Sequence, residues 1–452
     1  MDTPMMKNLL SKYETLRKQE HVSRQQLQAY QVQELQRLRE YTYAHSPFYR
    51  EFHKGLFDAP LEDLPVLTKS TLMDHFDDLV TDRAIHLRDV RTFAANNQGD
   101  ELYLDRYVVH STSGSTGNPG LFLMDSEEWL TALASSFRGF EEAGVKMDPN
   151  HPVKMAQITS TNPSHMSSGG ASSMGNMGVP ILLLTAAEPI QSMVEKLNSW
   201  QPQLLLGYAS IIRILAYEQL SGRLQIAPST VISGSEVLTP ETRRRAVQAW
   251  GNVLFDMYGT TDCGGIGAEC KEHRGMHLQE DLAIIEVVDR NNRPVPAGDY
   301  GEKLLVTVLW KRAQPLIRYE LDDSLRLSSV HCPCGRPFRL VKDIQGRVRE
   351  ILTFPTVTGG SVKVHPIVFE NIMDTLPVNA YQVVQEADGL HLLLSGVHDA
   401  LNEDELLAAV KKALTKQGAV MPKVEVQRVP SIPQAASGKT PLVKSNLPHT
   451  PA

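Results

Sequence analysis

From about residue 100 to 310, short apolar runs alternate with helical patterns, and this alternation constrains the fold more than any other property of the chain. Ile181–Leu184 precedes a helical pattern near 189–200, and Leu204–Leu206 precedes another at 210–220. Val231-Ile232 runs into Ser233-Gly-Ser-Glu236, after which Thr239 reads as a helix cap and Pro240 as a first-turn residue. Val253–Phe255 leads into Tyr258-Gly-Thr-Thr-Asp262. Buried strands alternating with helices predict an α/β sheet, in which ligands bind at the carboxyl ends of the strands. The polar segments 110–120, 233–236 and 258–262 each follow an apolar run, so the three are expected to build one shared site.

The 452 residues exceed one ordinary core, so two or more domains are expected. We divide the chain into 1–345 and 346–452, with the joint near Gly346-Arg347. Residues 5–43 read as helical, stopping near Ser46-Pro47. In the second unit, Tyr381–Glu386 and Leu390–Leu394 flank Asp388-Gly389, a hairpin turn signal. Leu406, Leu407, Val410 and Leu414 share one helical face, and Val424–Val429 reads as a last strand, giving a small α+β domain. A net charge of −7 argues against a nucleic-acid-binding surface. No apolar run approaches the roughly 20 residues of a membrane span, and the first residues lack the apolar core of a signal peptide. A cytoplasmic enzyme with no membrane and no nucleic-acid partner is the expectation.

His110-Ser-Thr-Ser-Gly-Ser-Thr-Gly-Asn-Pro-Gly120 sets five hydroxyl side chains among glycines. Glycine lets amide N–H groups approach a ligand closely, and consecutive N–H groups form an anion-binding concavity. Thr112, Ser113, Gly114, Ser115, Thr116 and Gly117 are therefore a candidate phosphate loop, with a flexible Ser/Gly linker as the competing reading. The common pattern G-x4-G-K-[ST] is absent, because no lysine follows Gly117 or Gly120. The four cysteines carry a second signal. Cys332-Pro-Cys334 is a tight pair, and Cys270 stands seven residues before His277. Three thiolates and one imidazole suit a closed, structural Zn²⁺ site at Cys270, His277, Cys332 and Cys334, with His273 as the alternative imidazole. Free buried thiols are the competing account. Cys263, beside Asp262, reads as a pocket-wall residue.

Five segments, in order, resemble the adenylate-forming superfamily. Thr112-Ser-Gly-Ser-Thr-Gly-Asn-Pro119 is similar to its phosphate loop, Tyr258-Gly-Thr-Thr-Asp262 to Y-G-x-T-E, and Pro315-Leu-Ile-Arg-Tyr-Glu-Leu-Asp-Asp323 to R-Y-x-x-x-D. Gly346-Arg-Val-Arg-Glu350 resembles the hinge, and Ser437-Gly-Lys439 the C-terminal lysine motif. Short length, His45-Ser-Pro-Phe-Tyr49, Gly169-Gly170 and Pro315–Tyr319 place the resemblance in the phenylacetate-CoA ligase branch. The resemblance implies a large multi-layer α/β N-terminal domain and a small mobile α+β C-terminal domain. It implies a reaction in which a carboxylate attacks the α-phosphate of ATP, releasing pyrophosphate, and a thiol then displaces AMP.

By the same resemblance, the loop 112–117 holds the leaving phosphates and Thr261 donates to the α-phosphate. Asp262, one methylene shorter than the usual Glu, helps hold Mg²⁺. Asp323 accepts the ribose hydroxyls with help from Arg347. Ser233, Gly234, Ser235 and Glu236, with Asp256, Met257, Tyr258, Gly259 and Thr260, line the nucleotide. Lys439 bridges the substrate carboxylate and the α-phosphate. The segment 164–178 aligns with the acid pocket, where Gly169, Gly170 and Ala171 leave room beside Met166, Met174 and Met177; Tyr208 forms another wall. An aromatic or other apolar carboxylic acid fits such a lining. CoA is the expected acceptor, with a carrier-protein thiol or an amine as the alternative and a non-catalytic nucleotide-binding relative as a further one. No basic cluster in the sequence stands out for the 3′-phosphate of CoA. The oligomeric state stays open, a homodimer among the options.

Overall fold

The computed structural model describes residues 4–97, 101–112, 120–146, 148, 151–160, 162–347, 350–397, 401–433 and 441–447, with backbone alone at Arg347, Ile367 and Asn371. Its centre is a nine-stranded sheet. Five strands, Ile181–Thr185, Met155–Thr159, Leu204–Gly207, Thr230–Gly234 and Leu254–Thr260, lie side by side and parallel. Between them run the helices Met166–Asn176, Ile190–Trp200, Ala209–Leu220 and Pro240–Trp250. The last begins as its sequence predicts, with the Thr239 hydroxyl accepting from the Thr242 N–H and Pro240 in the first turn.

The alternation does not continue through the rest of the sheet. Gly264–Glu269, Met276–Leu278, Leu340–Arg347 and Asp323–Leu327 extend it as four antiparallel strands. A second, three-stranded sheet pairs Ala283–Val288, Lys303–Val308 and Tyr319–Leu321. The candidate phosphate loop follows neither sheet; it joins Tyr107–Ser111 to Leu121–Asp125, the two strands of an antiparallel hairpin. The helical reading of 5–43 resolves into two helices, Pro4–Gln19 and Arg24–His45. Ser23 causes the break: its hydroxyl accepts from the Gln26 N–H while the Gln26 side chain accepts from the Ser23 N–H, a reciprocal cap that starts a new helix.

Residues from Leu352 to Val443 gather a core of their own around Phe354, Phe369, Tyr381, Leu392 and Leu406. Its sheet orders Val424–Arg428, Gly389–Val397, Val378–Glu386 and Val443–Ser445. The hairpin turns one residue earlier than the sequence suggests, with Glu386 paired to Gly389 across residues 387–388. Gly389 is required there: its φ is +150°, and a Cβ would stand 2.2 Å from the Lys423 carbonyl oxygen, just before the adjacent strand. Asp374 docks this body on the larger one. Its carboxylate accepts from Arg213 Nη1 at 3.3 Å and from the Thr239 hydroxyl, while Arg245 donates to the Asp374 and Leu376 carbonyls at 3.0 and 3.2 Å.

Candidate active site

The strand Leu254–Thr260 ends between two cavities, of about 340 and 620 Å³, and Ser235, Met257, Tyr258, Gly259, Thr260 and Asp323 line both. The smaller cavity also takes in Thr112, Gly234, Thr261 and Asp262; the larger takes in Glu236, Asp256 and Gly346. Folding thus brings Thr112 of the first polar segment to one place with residues of the other two. Ser235 is held there at φ +66°, a left-handed conformation costly for a side-chain-bearing residue and concentrated at functional sites. Glu236 accepts from the Ser210 N–H at 2.9 Å. Ser233 is fully buried and lines neither cavity.

Asp323 opens the strand Asp323–Leu327, and its carboxylate accepts from the Tyr258 hydroxyl at 2.9 Å. Its backbone partner in the sheet is Arg347, so the two residues expected at the ribose are cross-strand neighbours. Asp262 is 7% exposed and accepts from the Tyr319 hydroxyl at 2.6 Å, while its backbone carbonyl accepts from Lys311 Nζ at 3.0 Å. Burial and then the Asp262 charge hold the Tyr319 phenol protonated, the form that donates. The arginine before it plays a different part. Arg318, at φ +48°, is bidentate to Glu286 and holds the Glu62 and Leu64 carbonyls away from the cavities.

Lys69 was not singled out by the sequence. Its Nζ donates to the Thr112 hydroxyl at 2.8 Å, and that hydroxyl also accepts from the Gly120 N–H at 2.9 Å. Thr112 and Gly120 close the base of the candidate phosphate loop, with the Thr112 N–H donating to the Gly120 carbonyl. A Cβ at Gly120 would stand 2.6 Å from Lys69 Cε, so the glycine admits the lysine. Ser113, Gly114, Ser115, Thr116 and Gly117 lie outside the described residues, as does Lys439; Pro441, shortly after it, lines the larger cavity.

The apolar end of the smaller cavity is built mainly by the helix Ser126–Glu142. Trp129, Leu133, Phe137 and Phe140 form its wall, faced by Met166, Gly170, Met174 and Tyr208. Residues 166–176 are helical, which places Gly170 at the cavity while Gly169 abuts His110 and Ala171 is buried in packing. Met177 also falls outside the lining, in the core. This wall was not singled out in the sequence; the signal that could have found it is the apolar stripe of Trp129, Leu133, Phe137 and Phe140 at i, i+4, i+8 and i+11.

Cys270, His277, Cys332 and Cys334 form a separate cluster whose ligand atoms all lie within 4.8 Å of one another. Cys270 and Cys332 sulfurs are 3.7 Å apart, close to the roughly 3.8 Å edge that Zn–S bonds of about 2.3 Å give a tetrahedron. Cys334 Sγ is 3.2 Å from His277 Nε2. Burial and then Arg336 hold His277 neutral, down at about 4, the form that ligates. His273 instead pairs with Glu269 at 3.2 Å and stacks on Phe255. Cys263 sits in the core, outside both cavity linings.

A sequence model of a family described as AMP-binding enzyme matches residues 62–307, more than half of the chain. The chain is 27% identical over 391 residues to a phenylacetate-coenzyme A ligase of Thermus thermophilus, covering 82% of this chain and 80% of that protein. It is 30% identical over 267 residues to a phenylacetate-coenzyme A ligase of Pseudomonas putida, covering 55% and 57%. A solved 2-hydroxyisobutyryl-CoA ligase, in its postadenylation state with R3-HIB-AMP, overlays with a TM-score of 0.73 at 20% identity, covering 95% of this chain and 91% of that one. That likeness concerns the fold.

Proposed function

The chain belongs to the AMP-binding enzyme family, and from that premise we propose that it activates a carboxylic acid with ATP and passes the acyl group to CoA. One observation carries the reading: two cavities, the smaller with an aromatic wall, meet at Tyr258–Thr260 and Asp323. ATP spans both, with its ribose at Asp323 and its phosphates toward Thr112, Thr261 and Asp262 in the aromatic-walled cavity, and the acid lies against Trp129, Leu133, Phe137 and Phe140 with its carboxylate toward Thr261. An aromatic acid suits this wall, because ring-on-ring contact adds to burial.

In the first step a carboxylate oxygen bonds to the α-phosphorus and the bond to pyrophosphate breaks. In the second, the CoA sulfur bonds to the acyl carbon and the bond to AMP breaks. Holding two reactants in register lowers the entropic part of the barrier, and fixed donors stabilise charge as it develops. Lys69 is the cation that the phosphate loop itself lacks. Asp262, oriented by Tyr319, is the carboxylate that would hold Mg²⁺, which neutralises phosphate charge when bound. Lys439 enters by its motif alone. Cys270, His277, Cys332 and Cys334 would hold a structural Zn²⁺ outside the reaction. Among the described residues no helix is long and apolar enough to cross a membrane. A cytoplasmic setting belongs to the same reading, since ATP and CoA are both at hand there.

The test is exchange of labelled pyrophosphate into ATP across a panel of aryl and aliphatic acids, with CoA left out. Exchange with aryl acids and its loss in Lys439→Ala, with ATP binding kept, is the expected result. Turnover unchanged in that variant removes Lys439 from the chemistry, and no exchange with any acid overturns the adenylation reading.

A further inference from the structure

Behind the aromatic wall lies a further, smaller cavity. It holds about 40 Å³ of space between the helix Pro4–Gln19 and the strand Met155–Thr159, and Phe137, Phe140 and Met174 line both it and the acid pocket. Met6 and Leu10, one helical turn apart, close it from the far side. Apart from Lys146 and Asp148, both exposed, every described residue around it is apolar. Water finds no hydrogen-bond partners in such a space, whereas an apolar group fills it. At roughly 10–15 Å³ for one water-sized group, it admits about three heavy atoms.

Packing of the helix Ser126–Glu142 on the main sheet fixes where this cavity stands relative to the reacting end of the acid. A Cβ on Gly139 would stand 2.6 Å from Met257 Cε, and one on Gly265, which pairs with Gly259, would stand 2.7 Å from Ser135 Oγ. Moving along the strand from Met257 toward Thr260 therefore means moving toward the start of the helix, and Phe140 lies at the end away from Thr261. From Trp129 to Phe140 the wall runs about 16 Å at the helical rise, more than one ring and its carboxylate arm can cover. The first helix is pinned over the cavity from outside: the Tyr13 hydroxyl donates to Glu141, Arg17 Nε pairs with the same carboxylate at 3.1 Å, and Lys12 pairs with Glu127 at 2.9 Å. Met6 and Leu10 are thus a fixed floor, whereas Met174, unbranched and flexible, is a partition that can move.

We propose that this cavity is a tail subsite of the acid pocket: Met174 swings aside and admits an apolar chain of about three heavy atoms, carried on the ring opposite the carboxylate arm. The proposal rests on the ligase reading above and narrows its substrate to aryl acids bearing such a chain. Its test measures kcat/KM in acid-dependent pyrophosphate exchange for phenyl acids with hydrogen, methyl, ethyl, propyl, butyl or hexyl at the ring position opposite the carboxylate arm. In native enzyme kcat/KM is expected to rise about fourfold for each carbon up to propyl, the effect of burying one methylene, and to fall beyond it. Leu10→Phe fills the cavity and should erase the gain from methyl to propyl, whereas Leu10→Ala enlarges it and should move the optimum to a longer chain. Two shifts in opposite directions separate a subsite from a helix that has merely loosened. A profile in native enzyme that is flat or falls from methyl onward, or one that neither variant moves, overturns the subsite. Exchange confined to acids without a ring overturns the aromatic reading and the subsite's occupant with it; no exchange with any acid overturns the ligase reading itself.

Discussion

Lys69 completes a motif from 43 residues away. The loop 110–120 announces phosphate binding by its hydroxyls and glycines, yet the cation that such loops use is missing from it. The cation comes from the start of the short helix Lys69–Asp74, and its place against Thr112 exists only once that helix packs beside Gly120. Lys69→Met keeps the length of the side chain and removes its charge. The acid-dependent exchange rate is expected to fall about a hundredfold, the usual cost of one electrostatic contact to a reacting phosphate. The melting temperature should move by no more than about 2 °C, since a part-exposed lysine contributes little to stability. Exchange within twofold of the native rate would remove Lys69 from the phosphates. Asp323 and Tyr258, by contrast, were legible as motif letters; the hydrogen bond between them was not, because it spans 65 residues and depends on how two strands face each other.

The parallel half of the main sheet was readable because its strands are buried runs followed by amphipathic helices. The antiparallel half was not. Gly264–Glu269 contains three glycines, and Met276–Leu278 is three residues long, so neither carries a hydrophobic period. Those strands nevertheless decide the make-up of the Cys/His cluster. Cysteine spacing left His273 and His277 open, and register settles the choice: His277 lies opposite Leu340, beside the turn that carries Cys332 and Cys334, whereas His273 stacks on Phe255. Protein purified without added metal is expected to contain about one zinc per chain by elemental analysis. Chelation, or Cys332→Ser, should lower the melting temperature by about 5 °C or more, because the cluster pins the pairing of Met276–Leu278 with Leu340–Arg347. Folded protein that is free of zinc and unmoved by chelator would return these residues to ordinary packing.

The changed patterning of the chain pointed to a small unit near its end, and a separate core runs from Leu352 to Val443, but the surface on which it docks was not legible, because its partners lie 129 to 161 residues apart. That surface also holds a buried acid with a consequence for pH. Glu370 is 4% exposed, and burial, then Asp374, Glu350 and Glu236, push its carboxyl up to about 8. Glu236 belongs to the nucleotide segment, Glu350 to the joint and Asp374 to the docking contact, so ionising Glu370 sets a fourth anion among three. The folded state favours the protonated form. Its contribution is therefore complete below the ordinary carboxylate range and is lost as pH rises through about 8. The melting temperature should fall between about pH 5 and 8, and Glu370→Gln, which keeps the shape and cannot ionise, should lose part of that fall. The native protein should also expand as pH rises through about 8 in small-angle scattering as the Asp374 contacts loosen, and the variant should not. Identical pH profiles for the two proteins would show that the carboxyl stays neutral, or ionises without loosening the dock.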